Sequence, residues 1–340
     1  MIAMDLVRFL AMASVPIAYL LGLLSYGHLL VVSVICATAG IAFTAASGAY
    51  LKHLVAKDHL LVANARFEGT SWVATAAGPP IGGALIGLLG PVTTVAADAF
   101  SYLLSALGVF RIRGGDVAAP RDPATRARAS DLLHGWRFIL HDSVLRRLFL
   151  NSVTVSALIM ATSPLLAVLL LDEYHFPAWQ YGLAFGIPAL GGFAGARLSA
   201  RLVARHGLHR VMIVSGWLRS IFPLGLAFTQ PGIPGLLTVI IVEGLLVTCM
   251  GVFNPINATE RLHRTPADHA ARVLTAWSVS SKLAQAVLMG IWGILATLTS
   301  PLAAITISGI LLLATPLLLP TRTHLADPES VASAEGVRVA

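Results

Sequence analysis

From Leu60 to Arg113 the sequence runs as two long apolar segments joined at Gly90-Pro91. Each is long enough to cross a hydrocarbon layer of roughly 30 Å, which takes ~20 helical residues. Midway through the first, Gly78-Pro79-Pro80-Ile81-Gly82-Gly83 interrupts the apolar run. A soluble helix would end there. Inside a bilayer the freed carbonyls are re-satisfied by neighbouring helices, so a kinked span survives. Glycines also admit the close approach of a second backbone. The stretch therefore predicts two tightly packed spans of a polytopic membrane protein. Gly78, Pro79, Gly82 and Gly83 form its conformational motif, read as a kink and packing element rather than a ligand site.

Hydrophobic residues make up 56% of the 340 and charged residues only 11%, against about 25% charged in an ordinary soluble domain. That is too little charge to solvate a globule of this size. Ten apolar spans can be read, roughly 4–25, 29–50, 65–89, 92–111, 148–170, 181–203, 209–228, 234–256, 273–297 and 301–319,. The net charge is +7, and its placement is informative: 20 of the 23 Lys and Arg fall at connections following the even-numbered spans, and the opposite connections carry none. Cations collect on the cytoplasmic side of a membrane, so both termini are expected in the cytoplasm of a multi-pass cell-membrane protein. The basic excess is thus a topology signal, and the expected partner is the lipid bilayer, with no nucleic acid.

Asp5 and Arg8 precede an apolar run through Leu24 without a small-residue cleavage pattern, so no cleavable signal peptide is expected,. Cys36 and Cys249 both sit inside apolar runs and imply neither a disulfide framework nor a metal site,. The long central connection divides in two. Residues 114–129 are rich in Gly, Pro and Arg and predict a flexible linker. Residues 130–147 predict an interfacial amphipathic helix, capped by Ser130, with Trp136 at headgroup depth,. The expected organisation is a four-span bundle over 1–112, a cytoplasmic linker with its helix over 113–147, a six-span bundle over 148–320 and a cytoplasmic tail over 321–340.

Several of these segments resemble the Major Facilitator Superfamily, in its drug- and siderophore-exporter branch. The resemblance rests first on Ala63-Asn64, the Gly78–Gly83 element and Asp98-Ala99-Phe100-Ser101-Tyr102-Leu103-Leu104-Ser105-Ala106. Weaker matches are Gly135-Trp136-Arg137-Phe138 with Val144-Leu145-Arg146, then Gly191-Gly192-Phe193-Ala194-Gly195 leading to Arg205–Arg210, and Arg272 through Gly290. The resemblance implies an all-α fold of two helical bundles that expose a central cavity alternately to each side of the membrane. It also implies proton-coupled export, although Ala65 and Ala74 stand where the fuller pattern has glycine. The opening, Met1 to Arg8, is similar to the start of the family's third helix, which implies four plus six spans in place of six plus six. Two functions follow: proton-coupled efflux of small amphipathic molecules such as drugs, antibiotics or siderophores, or a truncated, transport-incompetent or partner-dependent membrane protein. In the first, the proton gradient is the driving force and no cofactor is needed. The sequence leaves the oligomeric state open.

A charge at mid-bilayer costs several kcal/mol on insertion scales and calls for a partner. Glu243, about nine residues into the eighth span, and Lys282, ten residues beyond Arg272, reach similar depths on adjacent antiparallel spans. Glu243 is the candidate proton-carrying carboxylate, its pairing with Lys282 changing during transport; a static pair, or Lys282 snorkelling to the interface, is the alternative. Asp98 is either a coupling residue or a structural acceptor for Ser101 or a neighbouring helix. Arg219 is either a cavity cation for an anionic substrate or a packing residue. By the resemblance, the second, fifth and eighth spans line the cavity, which offers Thr44 and Ser47; Asn151, Thr154, Thr162 and Ser163; and Thr248 and Asn254. Most of these hydroxyls are expected to bond their own helix backbone. No pattern for a catalytic triad, a phosphate-binding loop or a metal site is present,, so no enzymatic activity is expected.

Overall fold

The computed structural model describes residues 1–111 and 129–320. The predicted linker, all but its last residue, and the predicted tail lie outside the described residues. Among those described there is no strand, and nine helical segments are long and apolar enough to cross a membrane. They are α1 (Ile2–Leu20), α2 (Tyr26–Leu54), α4 (Pro91–Phe110), α6 (Ser143–Val168), α7 (Ala178–His206), α8 (Leu208–Ile221), α9 (Ile233–Arg264), α10 (Ala267–Leu298) and α11 (Pro301–Leu312). Of these, α6, α8 and α11 reach spanning length through the short helical turns that follow them. With α3 (Leu60–Leu89), 30 residues long, ten helices stand where the apolar runs predict spans. The chain is an all-α, polytopic membrane protein.

Local chemistry sets the ends of these helices. Gly90 and Gly207 both adopt φ 81°, which separates α3 from α4 and α7 from α8; only glycine takes that backbone conformation without penalty. Pro91 then opens α4 at a position where its missing N–H costs nothing,. The side chain of Ser25 accepts from the N–H of His28 to cap α2, and Ser300 accepts from Ala303 to cap α11,.

α3 is helical from Leu60 to Leu89, through the Gly78–Gly83 element; a bilayer favours keeping the helix across such a break. One expectation is corrected: the amphipathic helix does not extend to residue 147. α5 covers Ala129–His141, and Asp142 Oδ1 accepts from the N–H groups of Val144 and Leu145 at 2.9 and 2.7 Å. That cap starts α6 at Ser143, so residues 143–147 belong to the following span. α5, thirteen residues and about 20 Å long,, is too short to cross.

The chain forms two compact units. In the first, built from Met1–Leu60, Thr75–Trp136 and Thr265–Val279, α1 packs on α4 and α2. The start of α10 joins it, with Lys52 Nζ donating to the carbonyl of Thr265. A Cβ on Gly135 of α5 would lie 2.5 Å from the Arg272 carbonyl. The second unit comprises Leu61–Ala74, Arg137–Arg264 and Ser280–Ala340. Its core holds Leu158, Leu166, Leu169, Leu226, Val239 and Ile305. The broadest helix pairing in the protein is α7 against α9. Added Cβ atoms on Gly195 and Gly251 would run into the main chain of the opposite helix, at the carbonyls of Thr248 and Gly192. Helices in lipid gain their association from such close packing rather than from the hydrophobic effect.

Candidate functional site

The second unit carries three polar clusters, each reaching α9. The first surrounds Arg219, which is 3% exposed at the end of α8. Its Nη2 donates to Asn151 Oδ1, and its guanidinium lies over the Phe253 ring at 3.5 Å from the centroid. Asn151, 0% exposed, passes the bond on from Nδ2 to the Thr315 carbonyl at 2.7 Å, and Ser220 and Thr315 share a hydroxyl bond at 3.0 Å. Arg219 Nε has no hydrogen-bond partner, and no ion pair among the described residues involves Arg219. Arg219 and Asn151, expected separately as a cavity cation or packing residue and a lining amide, are thus joined in one buried network.

The second cluster is Glu243 with its surroundings. Glu243 is half-buried on α9, ten residues or ~15 Å from Ile233,. It lines a small cavity with Thr162, Pro223, Leu246, Ser308 and Gly309 among its neighbours. Thr162 Oγ1 is spent on the Ile159 carbonyl and Ser308 Oγ on the Leu158 carbonyl. Glu243 forms no ion pair with a described residue. Lys282 lies exposed on α10 and reaches Gln285 Oε1 at 3.4 Å, three residues along its own helix. Gln285 in turn donates to Ser156 Oγ of α6 at 2.7 Å. The two charges do not meet in this conformation. α9 packs broadly on α7 and α8, and Lys282 finds its nearest acceptor one helical turn away.

The third cluster was not singled out by sequence. Glu68 Oε1, on α3, accepts from Trp72 Nε1 at 2.9 Å and from Asn254 Nδ2 of α9 at 2.7 Å. One turn earlier, Asn64 Nδ2 donates to Thr259 Oγ1 at 2.9 Å. Asn254, expected to line a cavity, is therefore the α9 side of a carboxylate bond. Glu68 was legible as an acid only three residues inside an expected span, followed at i+4 by a tryptophan, and such a position reads as an end-of-helix charge. Thr248 Oγ1 bonds the Gly244 carbonyl at 2.6 Å, and Thr154 is half-buried and Ser163 exposed on α6.

In the first unit, Asp98 is exposed on α4, and Ser101 donates to its main-chain carbonyl at 2.7 Å rather than to its carboxylate. The buried acid there is Asp5, 1% exposed, which accepts from Ser105 Oγ at 2.7 Å and lies 3.6 Å from Arg8. Arg8 stacks near Phe43 and Tyr102, at 5.2 and 5.4 Å from their ring centroids. An acid and a base at i, i+3 in an apolar helix was the available signal. Thr44 is exposed and bonds the Gly40 carbonyl at 2.9 Å, and Ser47 is half-buried on the same helix. Gly78 is exposed, Gly82 is half-buried, and a Cβ on either would meet nothing within 4 Å.

Comparison with known proteins places these helices in a family. The chain is 28% identical over 195 residues to the multidrug efflux pump Tap of Mycolicibacterium fortuitum, covering 56% of this chain and 45% of that protein. It is 26% identical over 280 residues to the enterobactin exporter EntS of Shigella flexneri, covering 78% of this chain and 61% of that one. It thus spans about half to three fifths of the length of these curated relatives. Among solved structures, a bacterial homologue of the iron transporter ferroportin in an outward-facing state superposes with a TM-score of 0.73 at 16% identity, covering 93% of this chain and 80% of that one. The human organic anion transporter MFSD10 gives 0.68 at 17% identity, covering 93% and 77%. These structural likenesses carry the fold. The sequence model of the Major Facilitator Superfamily matches residues 6–259 and again 148–338, and the chain belongs to that family.

Proposed function

We propose that the chain is a secondary active exporter of small amphipathic molecules (drugs, antibiotics or siderophores), working in the cell membrane with both termini cytoplasmic. Inward proton flow drives it, through alternating access of its two units. On this reading it is a transporter and not an enzyme, and the proton gradient takes the place of any cofactor. Two of its relatives, a multidrug efflux pump and an enterobactin exporter, support the substrate class. The observation that carries the coupling is Glu243: a carboxylate deep within a membrane-spanning helix, beside a small cavity, with no ion pair among the described residues. A carboxylate in that setting pays for its charge with no cation and is free to take up and release a proton as its exposure changes. Lys282, Asp98 and Arg219 remain charges that this cycle would reorganise around.

The reading is tested in everted membrane vesicles carrying the chain, given a fluorescent cationic dye in the surrounding medium and energised by a pH gradient. Dye uptake collapsed by a protonophore is expected, and Glu243→Gln is expected to lose the gradient-driven component while inserting normally. Uptake by Glu243→Gln with an unchanged pH profile would remove the coupling role from this residue. A second reading, a membrane protein that transports only with a partner chain, draws on the open space beside Gly78 and Gly82. Under it, no uptake would appear from this chain alone.

A further inference from the structure

A groove of about 530 Å³ runs between α3 and α7 in the second unit. Its floor is small and apolar, with Ala65 and Gly69 from α3 and Ala196 and Ala200 from α7. Two cations line it, one from each helix: Arg66 of α3 and Arg197 of α7, both exposed. Arg197 lies over the Phe193 ring at 5.0 Å, which fixes its guanidinium against the groove wall. No acidic residue lines the groove, and neither arginine forms an ion pair with a described residue. The nearest acid in sequence, Glu68, is engaged by Trp72 and Asn254.

Depth identifies what such a site meets. α3 and α7 have 30 and 29 residues, so each is about 45 Å long and overruns a ~30 Å hydrocarbon layer by about 7 Å at each end. Arg66 is six residues from the start of α3, about 9 Å along its axis, and Arg197 nine residues from the end of α7, about 14 Å,. From the start of α3 to the end of α7 the chain makes four crossings, α3, α4, α6 and α7, and four is even, so both ends lie on one side. Both guanidiniums therefore stand a few ångströms below one headgroup layer, within snorkelling reach of it. Unpaired cations at that depth are costly unless an anion comes to them.

We propose that this groove is a binding site for an anionic phospholipid of the surrounding bilayer. The phosphate sits between Arg66 and Arg197, and an acyl chain runs deeper along Gly69 and Val73. Basic recesses between membrane helices on one leaflet favour such headgroups, and planar guanidiniums suit phosphate oxygens. The bound lipid spans α3 and α7, and its binding is independent of what the chain transports.

The test uses the full chain in detergent micelles, titrated separately with palmitoyl-oleoyl phosphatidylglycerol and phosphatidylcholine, with retained lipid counted by native mass spectrometry. One phosphatidylglycerol should be retained in preference to phosphatidylcholine. Arg197→Gln should weaken its retention roughly fivefold, and Arg66→Gln with Arg197→Gln about 25-fold. Val73→Trp, which fills the groove without changing charge, should also lower it, while Arg210→Gln on α8 should leave it as in the parent. Equal retention of the two lipids would overturn the proposal. So would an equal loss in Arg210→Gln, or displacement of the lipid by millimolar glycerol 3-phosphate, which would make the occupant a soluble anion.

Discussion

The two glycine-rich regions of this protein look alike on paper and behave differently in space. In the first unit, Gly78 and Gly82 lie on α3 with no atom within 4 Å of an added Cβ. In the second, Gly195 and Gly251 bring α7 and α9 together so closely that an added Cβ would strike opposing main chain. A glycine pattern states only that a close approach is permitted. The approach happens where a second helix presents its own small residue at the same height, as Gly251 does for α7,. At α3 the permission is unused in this conformation, which leaves the stretch available for a helix that arrives in another state or from another chain.

Substitutions can break or sharpen that contrast. The largest effect is expected at the α7–α9 seam: Gly251→Leu has no direction in which a backbone carbonyl can yield, and a cost of about 3 kcal/mol or more follows from forced overpacking. Thermal unfolding in detergent, followed by tryptophan fluorescence, should show a lowered or absent transition. A parent-like transition would mean that the two helices are not held at this distance. Arg219→Ala comes next. It strands Asn151 Oδ1 and removes the stack on Phe253, so a loss of about 2 kcal/mol is expected by the same measurement,. The smallest effect belongs to the open region. Gly78→Ala meets nothing and gains helix propensity, so stability should stay level or rise by up to ~1 kcal/mol,. If Gly78→Ala proved more damaging than Gly251→Leu, the contrast between the regions would be reversed.

Much of the framework is legible in the chain itself. The apolar runs and their polar connections place ten helices, because a bilayer requires every backbone group to be satisfied within its own segment. Helix ends are less so: Asp142 reads equally well as a polar residue inside an amphipathic helix and as the cap of the next one. Only the short bonds to Val144 and Leu145 distinguish the two. Among the candidate residues, Arg219 and Asn151 were visible singly, and their union was not, since 68 residues separate them. Glu68 shows the converse failure. Its charge was in plain view, but its significance depends on Asn254, 186 residues away.

The sequence by itself determined that this protein is a bundle of membrane-crossing helices, since composition and spacing answer to the bilayer, a solvent that acts on each segment separately. It also determined where acids and bases enter the apolar runs. The tertiary structure decided which of them are spent on one another. Arg219 is taken up by Asn151 and Phe253, Glu68 by Asn254 and Trp72, while Glu243 faces a small cavity. Those outcomes depend on the height and rotation at which helices far apart in the chain meet, and rotation about a helix axis leaves no mark on the order of residues along it.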